Sequence, residues 1–131
     1  TLIGFCVLGG IFGEGIDLKK DSLIGVIVVG TGLPQVGCER EILKDYFDDN
    51  GENGFDYSYL YPGMNKVLQA AGRVIRTAED VGIIVLLDER FRQYSYRRMF
   101  PREWEQVVPV TVDTVAKKVE RFWDAWLWQQ R

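Results

Sequence analysis

The stretch Ile83-Ile84-Val85-Leu86-Leu87, closed by Asp88, is an unbroken run of large apolar residues. A strand that is apolar on both faces is typical of a parallel sheet with helices packed on each side. Two further runs have the same character, at residues 3–8 and 23–29, and each is followed by a glycine. We therefore predict three parallel strands that are buried on both faces.

Two helical segments separate the second and third predicted strands. Apolar side chains recur at helical spacing in residues 38–47, and residues 62–76 start with Pro62, which suits the first turn of a helix. This alternation predicts an α/β fold with a mostly parallel sheet and flanking helices. Three strands are fewer than the five or six of a typical sheet, so we expect a truncated domain.

The remaining segments are predicted to be a surface loop at residues 48–61 and a final helix at residues 111–130. Thr111 or Asp113 is the expected cap of that helix. Its apolar stripe, which we expect to pack on the domain, consists of Val115, Val119, Phe122, Trp123 and Trp126.

Composition narrows the classes of function. The chain has 131 residues, a net charge of −3 and no histidine, which excludes Ser-His-Asp catalysis and histidine metal sites. Cys6 and Cys38 are too few for a four-thiolate cluster, and Cys6 is expected to be buried in the first strand. With so few histidine and cysteine ligands, we predict no metal site. We also predict no membrane span, because no apolar run approaches 18 residues. We expect a cytoplasmic location.

The octet Gln69-Ala70-Ala71-Gly72-Arg73-Val74-Ile75-Arg76 lies within the second predicted helix. On a continuous helix Gln69, Arg73 and Arg76 would share an arc of about 60°. The opposite, buried side would hold Met64, Val67, Leu68, Ala71, Val74 and Ile75. An amide and two guanidiniums on one face suit a multiply charged anion such as the phosphates of a nucleotide.

A glycine-rich stretch, Gly9-Gly10-Ile11-Phe12-Gly13-Glu14-Gly15-Ile16-Asp17-Leu18, follows the first predicted strand. Glycines permit tight turns that expose backbone N–H groups, and the two carboxylates can order the loop or bind an arginine. The stretch lacks the Gly-Lys-Ser/Thr ending of a Walker A loop. A dinucleotide fingerprint from Gly13 would require a small residue at Leu18, so that alternative matches weakly.

Together these two motifs resemble those of the second RecA-like motor domain of superfamily 2 helicases, in particular the XPD/DinG family of DNA helicases. Residues 9–17 resemble motif V, Gly-Gly-x-Phe-Ser-Glu-Gly-Ile-Asp, with Gly13 in place of the serine. Residues 69–76 match motif VI, Gln-x-x-Gly-Arg-x-x-Arg, and Phe100-Pro101-Arg102-Glu103-Trp104 resembles the closing Leu-Pro-x-Trp. The resemblance covers residues 3–104 and leaves 105–131 as a helical extension.

The resemblance implies a three-layer RecA-like domain of the P-loop NTPase type and an ATP site shared with a first motor domain of the same polypeptide. Arg76 is the implied arginine finger, Arg73 an assisting phosphate or domain contact, and Gln69 a sensor of the γ-phosphate or water. Motif V is implied to couple nucleotide to DNA. The implied nucleotide-binding residues are Glu14, Gly15, Asp17, Gln69, Arg73 and Arg76. ATP with magnesium and single-stranded or forked DNA are the expected cofactors and partner, and unwinding is expected to run 5′ to 3′.

Two other functions stay open at this level. Residues 90–100 interleave arginines with aromatic residues, which suits either single-strand binding or ordinary packing. A nucleic-acid-binding module without enzyme activity is therefore one alternative, and a nucleotide-dependent oxidoreductase built on Gly13 and Gly15 is the other. Because no Walker A loop is present, we expect the chain alone to be inactive as an ATPase.

Overall fold

The computed structural model describes residues 1–11, 22–104 and 106–129, and the chain divides into two compact units, Thr1–Met99 and Phe100–Arg131. In the first unit, strand β1 (Gly25–Val29) pairs in parallel with strand β2 (Ile83–Leu87). Gly25 lies opposite Ile83, and Val29 lies opposite Leu87. Two of the predicted strands, their parallel direction and the α/β class are thereby confirmed.

Two helices connect the strands, because parallel neighbours require a crossover. Helix α1 spans Cys38–Asp49, and helix α2 spans Tyr61–Ala71 with Pro62 in its first turn. Helix α2 contacts β1. The buried apolar side chains of this core include Val28, Tyr59, Leu60, Met64, Val67, Ala71 and Val74.

The predicted loop at residues 48–61 is wrong for its second half. Residues Asp56–Leu60 form a π-helical segment that continues directly into α2, and Tyr59 and Leu60 are buried. Two contacts attach this segment to α1: Arg40 Nη1 donates to the carbonyl oxygen of Ser58 at 2.9 Å, and the Tyr59 hydroxyl donates to Glu41. Aromatic burial at this point outweighs the turn-forming residues that precede it.

The strand predicted at residues 3–8 is not formed, and residues 1–7 carry no regular secondary structure. Phe5 is 96% exposed, and the thiol of Cys6, which we expected to be buried, is also exposed. A strand needs a neighbour for its N–H and C=O groups. In the described part of the chain β1 and β2 pair with each other, and residues 1–7 pair with neither.

Burial of the sheet on both faces was also predicted, but the two faces of β1 differ. Val28 is 3% exposed, whereas its neighbours Ile27 and Val29 are 65% and 72% exposed. Because side chains alternate along a strand, one face is covered and the other is open within the described residues. Helix α2, which belongs to the crossover that follows β1, contacts this strand.

The first unit ends with two short helical pieces after β2, and the second unit contains one long helix. The pieces after β2 are a 3₁₀ turn at Glu89–Arg92 and helix α3 (Tyr94–Arg97). The second unit holds a 3₁₀ turn at Arg102–Trp104 and helix α4 (Val112–Gln129). Among the residues that the structure describes, no helix combines the length and the apolar character needed to cross a membrane.

The predicted final helix is confirmed in α4, and the residue just before it, Thr111, is hydrogen-bonded to its first turn. The backbone N–H of Thr111 donates to Thr114 Oγ1 at 2.9 Å, and Thr114 N–H donates to the Thr111 carbonyl oxygen at 3.1 Å. The Thr114 side chain thereby satisfies the N–H of Thr111, while the side chain proposed as the cap, that of Thr111, lies 3.0 Å from the Thr114 hydroxyl. Four members of the predicted stripe are half-buried, whereas Phe122 is 41% exposed; the four are Val115, Val119, Trp123 and Trp126.

Candidate functional site

The octet at residues 69–76 does not form one continuous helix. Helix α2 ends at Ala71 with Gly72 as its cap. Tight turns follow, in which the Arg73 N–H donates to the Ala70 carbonyl oxygen and the Val74 N–H donates to the Ala71 carbonyl oxygen. Arg76 lies beyond the helix in an irregular segment. The predicted helix over residues 62–76 is therefore confirmed as far as Ala71. Its continuation to Arg76, and with it the shared 60° arc of Gln69, Arg73 and Arg76, is wrong.

A carboxylate explains why the helix does not continue. Asp80 Oδ2 accepts the backbone N–H groups of Arg76 at 2.9 Å and Thr77 at 2.8 Å, which a longer helix would have used internally. The Asp80 N–H in turn donates to the Thr77 carbonyl oxygen at 3.2 Å. Side chains that capture backbone donors in this way compete with helix formation. Gly72 has a low helix propensity, which favours the end of the helix at this position.

The same contacts set the charge state of Asp80. The N–H groups of Arg76 and Thr77 hold the pKa of the Asp80 carboxyl below its usual value. Hydrogen bonds to the ionised form stabilise that form, so Asp80 is a carboxylate throughout the neutral range.

The three residues predicted to contact nucleotide thus occupy three successive local structures at the C-terminal end of α2. Gln69 lies on the last turn of the helix and is exposed, Arg73 lies in the turn and is half-buried, and Arg76 is exposed in the following segment. Val74, between the two arginines, is 4% exposed and anchors the turn in the core. The arrangement presents an amide and a guanidinium outward from a segment whose backbone is fixed.

The start of the glycine-rich stretch lies against this same helix. Gly9 has a φ of 80°, and a Cβ at that position would lie 3.3 Å from Cδ and Cε of Lys66. Gly10 N–H donates to the Val7 carbonyl oxygen at 2.9 Å, which closes the turn. The first residue of motif V therefore lies against the helix on which motif VI begins. Glu14, Gly15 and Asp17 lie outside the described residues, as does Gly13, so their predicted roles stay predictions.

A second arginine-rich segment follows β2. The guanidinium of Arg90 donates from Nε and Nη2 to the two carboxylate oxygens of Asp88, at 2.9 and 2.8 Å, and the Arg90 N–H donates to Oδ1 as well. This pairing lowers the pKa of Asp88 and raises that of Arg90. The ion pair caps the helical turn that leaves the sheet.

The mixed basic and aromatic segment at residues 90–100 divides into inward and outward members. Phe91 and Tyr96 are buried, with ring centroids 5.9 Å apart in an edge arrangement. Arg98 Nη2 donates to Asp56 Oδ2 at 2.7 Å, which raises the pKa of Arg98. Tyr94, by contrast, is 83% exposed on α3. Packing therefore explains the aromatic residues Phe91 and Tyr96 of this segment, whereas the ring of Tyr94 is exposed.

Metal ligands do not gather in the described ranges 1–11, 22–104 and 106–129. No group of three or more Cys, Asp or Glu side chains there is placed to hold an ion. The chemistry that these residues offer is hydrogen bonding by amide and guanidinium groups, which suits phosphate oxygens.

The chain matches a known protein family over most of its length. The family model described as the helicase C-terminal domain matches residues 1–107. The chain belongs to this family. The match contains both motifs and both strands, and the resemblance to the XPD/DinG helicases is confirmed by relatives that carry the names DinG and XPD.

Three relatives illustrate the similarity. The chain is 35% identical over 89 residues, 66% of its length, to the ATP-dependent DNA helicase DinG of Photobacterium profundum. It is 32% identical over 127 residues, 88% of its length, to a regulator of telomere elongation helicase 1 homolog of Caenorhabditis elegans. It is 25% identical over 130 residues, 91% of its length, to a probable ATP-dependent helicase of Methanocaldococcus jannaschii.

The alignments cover only a small part of these relatives. They span 20% of the archaeal protein and 13% of each of the other two. The match therefore identifies one segment of a helicase, and the activity of a complete protein is a matter for proposal.

Sequence reasoning did not predict the contacts that Asp80 and Asp88 make. Each of these aspartates accepts the backbone N–H of an arginine: Asp80 accepts that of Arg76, and Asp88 accepts that of Arg90. The signal available in the sequence was local: Thr77-Ala78-Glu79-Asp80 combines residues that favour turns and backbone contacts.

Proposed function

We propose that this chain is the C-terminal part of the second RecA-like motor domain of an ATP-dependent DNA helicase, and that it completes the ATP site with Arg76 as an arginine finger. The family match and the relatives named as ATP-dependent DNA helicases support the coarse assignment. Support for the finger comes from Arg76 itself, which is exposed on a segment whose backbone is fixed by Asp80. In the complete polypeptide that carries this chain, called the intact helicase below, this segment would face the nucleotide.

The chemistry of phosphoryl transfer explains why an arginine is suited to this place. Charge in the transition state is spread over the oxygens of the transferred group, and a planar guanidinium matches two of them at once. Arg73 would assist on the phosphates or bind the opposing domain. The exposed amide of Gln69 would orient the γ-phosphate or the attacking water.

The rest of the ATP site would come from the first RecA-like domain of the same polypeptide. That domain is expected to supply the phosphate loop and the carboxylates that hold magnesium. Closure of the two domains over ATP would place Arg76 against the γ-phosphate, and opening after hydrolysis would move single-stranded DNA by a step. Motif V, which begins beside Lys66, would transmit this movement, with Glu14 and Asp17 as the coupling side chains. We propose 5′ to 3′ polarity on the resemblance.

The test is the Arg76→Ala variant of the intact helicase. Removal of an arginine finger is expected to lower kcat for ATP hydrolysis by about 10³–10⁵-fold while ATP binding and the melting temperature change little. Arg121→Ala, which removes an exposed arginine on α4, is the matched control and is expected to retain full activity. Normal kcat in Arg76→Ala would disprove the assignment.

A second function for the chain is favoured by one observation, the 83% exposure of Tyr94. Arg92 and Arg97 are also exposed on the same short segment. Proteins bind single strands by stacking bases on aromatic side chains and contacting phosphates with cationic side chains. We propose that this surface, formed by Arg92, Tyr94 and Arg97, contacts the DNA strand in the intact helicase.

A further inference from the structure

We propose that Asp80 is a positioning residue for Arg76, so that its carboxylate, through the backbone, sets the direction in which the guanidinium is presented to the nucleotide. The inference rests on the proposed function of Arg76. It adds a residue outside the motif whose contribution to hydrolysis would be made without touching ATP.

A single oxygen of Asp80, Oδ2, accepts the N–H groups of two consecutive residues, Arg76 at 2.9 Å and Thr77 at 2.8 Å. Two hydrogen bonds from adjacent peptides to one atom fix the orientation of the peptide plane between them. The Cα–Cβ direction of Arg76 is therefore fixed although Arg76 lies outside any helix or strand.

The turn that contains Asp80 is closed by hydrogen bonds among its own residues. The Asp80 N–H donates back to the Thr77 carbonyl oxygen at 3.2 Å, and the Glu79 N–H donates to Thr77 Oγ1 at 3.3 Å. The acceptor thus belongs to the same short turn as the donors, and it is held four residues from Arg76. Beyond this turn the chain enters the sheet, where Ile83 N–H donates to the Ile24 carbonyl oxygen at 3.0 Å.

The backbone of an arginine can be fixed either by a helix or by a side-chain acceptor. On a continuous helix the backbone of Arg76 would be fixed by its own helical hydrogen bonds. Here the helix has ended at Ala71, and the carboxylate of Asp80 supplies the missing acceptor. Because misplacement of a catalytic group by about 1 Å can cost about 10²-fold in rate, loss of this acceptor is expected to appear in turnover.

The experiment uses three variants of the intact helicase, Asp80→Ala, Asp80→Asn and Glu79→Ala, with steady-state ATPase kinetics. Asp80→Ala is expected to lower kcat by about 10²-fold with little change in KM for ATP. Asp80→Asn is expected to restore most of kcat, because both hydrogen bonds end on one oxygen and an amide carbonyl oxygen can accept both. Glu79→Ala removes a carboxylate from the same turn but leaves the acceptor in place, and it is expected to behave as wild type.

A double-mutant cycle separates positioning from a merely structural role. If Asp80 acts through Arg76, Asp80→Ala lowers kcat in the wild-type background and adds nothing in the Arg76→Ala background. Independent losses in the two backgrounds, equal losses in Asp80→Ala and Asp80→Asn, or unfolding of Asp80→Ala with normal kcat per folded molecule would each overturn the inference. If Arg76→Ala itself retains kcat, the proposed function fails; if Arg76→Ala loses kcat and Asp80→Ala does not, only the positioning role fails.

Discussion

Gly82 lies against the side chain of Val74, so that a Cβ at position 82 would collide with Val74 Cγ1. The contact joins the turn between the two arginines of motif VI to the residue that leads into β2. The same Cβ would approach the Ile24 carbonyl oxygen at 3.0 Å, so the backbone just before β1 limits this position as well. Gly82 therefore contacts both the turn that contains Arg73 and the backbone beside the sheet.

Gly82→Ala is accordingly expected to destabilise the domain by about 1–3 kcal/mol, the usual cost of overpacking. The measurement is the free energy of unfolding from urea denaturation of the intact helicase. Gly25→Ala is the matched control, because its Cβ would meet the Ile83 carbonyl oxygen at an ordinary 3.4 Å on the partner strand. Equal stability of the two variants would contradict the close packing of Gly82.

The ion pair of Asp88 and Arg90 leads to a prediction of acid sensitivity. The pKa of Asp88 is lowered in the folded protein, chiefly by its hydrogen bonds with the Arg90 side chain, from an ordinary value of 3.8. Above that value the carboxyl is ionised in both folded and unfolded chains, so its stabilisation is complete. As pH falls below it, the unfolded chain binds a proton first, and the stabilisation is lost on the way to the lowered folded pKa.

Amide hydrogen exchange of residues 83–99 in wild type and Asp88→Asn, compared at equal pH, measures this effect. Wild type is expected to be better protected at pH 5 to 7, and the difference is expected to shrink as pH falls below about 4. A difference that stays constant into strong acid would show that the carboxylate charge does not contribute.

Tyr94 offers a prediction about binding to the DNA strand. Tyr94→Ala is expected to weaken single-strand binding by the intact helicase by about 1–3 kcal/mol, the cost of losing one stacked base. Tyr94→Phe keeps the ring and is expected to bind normally. Fluorescence anisotropy with a labelled oligonucleotide provides the measurement, and unchanged affinity in Tyr94→Ala would remove Tyr94 from the strand contact.

Tyr96→Ala serves as the structural counterpart of that variant. Tyr96 is 4% exposed and packs against Phe91, so its loss is expected to lower stability by about 3–5 kcal/mol. A binding defect that tracks stability in both variants would indicate folding rather than contact.

The 131-residue chain alone is expected to show no magnesium-dependent ATPase activity. Its sequence has no Gly-Lys-Ser/Thr phosphate loop, and an arginine finger acts on a nucleotide that another domain holds. A phosphate-release assay at high protein concentration, with the intact helicase as positive control, measures this. Turnover by the pure chain would contradict the division of the ATP site between two domains.

The sequence predicted those parts of the fold in which one force dominates. Continuous apolar runs predicted β1 and β2, and helical spacing predicted α1 and the buried side of α2, including Met64 and Val67. The strand at residues 3–8 had the same composition, but a strand forms only with a neighbour, which composition does not reveal. Aromatic packing likewise made residues 56–60 helical although polar and glycine residues precede them.

The motif residues were predicted as a set, but their local structure was not. The spacing of Gln69, Arg73 and Arg76 suits one face of a helix, and only the hydrogen bonds of Asp80 reveal that the helix stops before Arg73. The capture of two backbone donors by a side chain three or four residues later is a local contact for which hydrophobic periodicity carries no signal. The domain boundary at residue 104 and the roles of Glu14, Gly15 and Asp17 stay predictions.

The end of α2 at Ala71 has a practical consequence for capturing motor states. An arginine on an irregular segment can be redirected by changes at residues 77–80 without disturbing the hydrophobic core. Loss of the Asp80 acceptor would yield helicase molecules that bind ATP and DNA but stall before phosphoryl transfer. Such arrested molecules would be suited to trapping a short-lived intermediate for imaging.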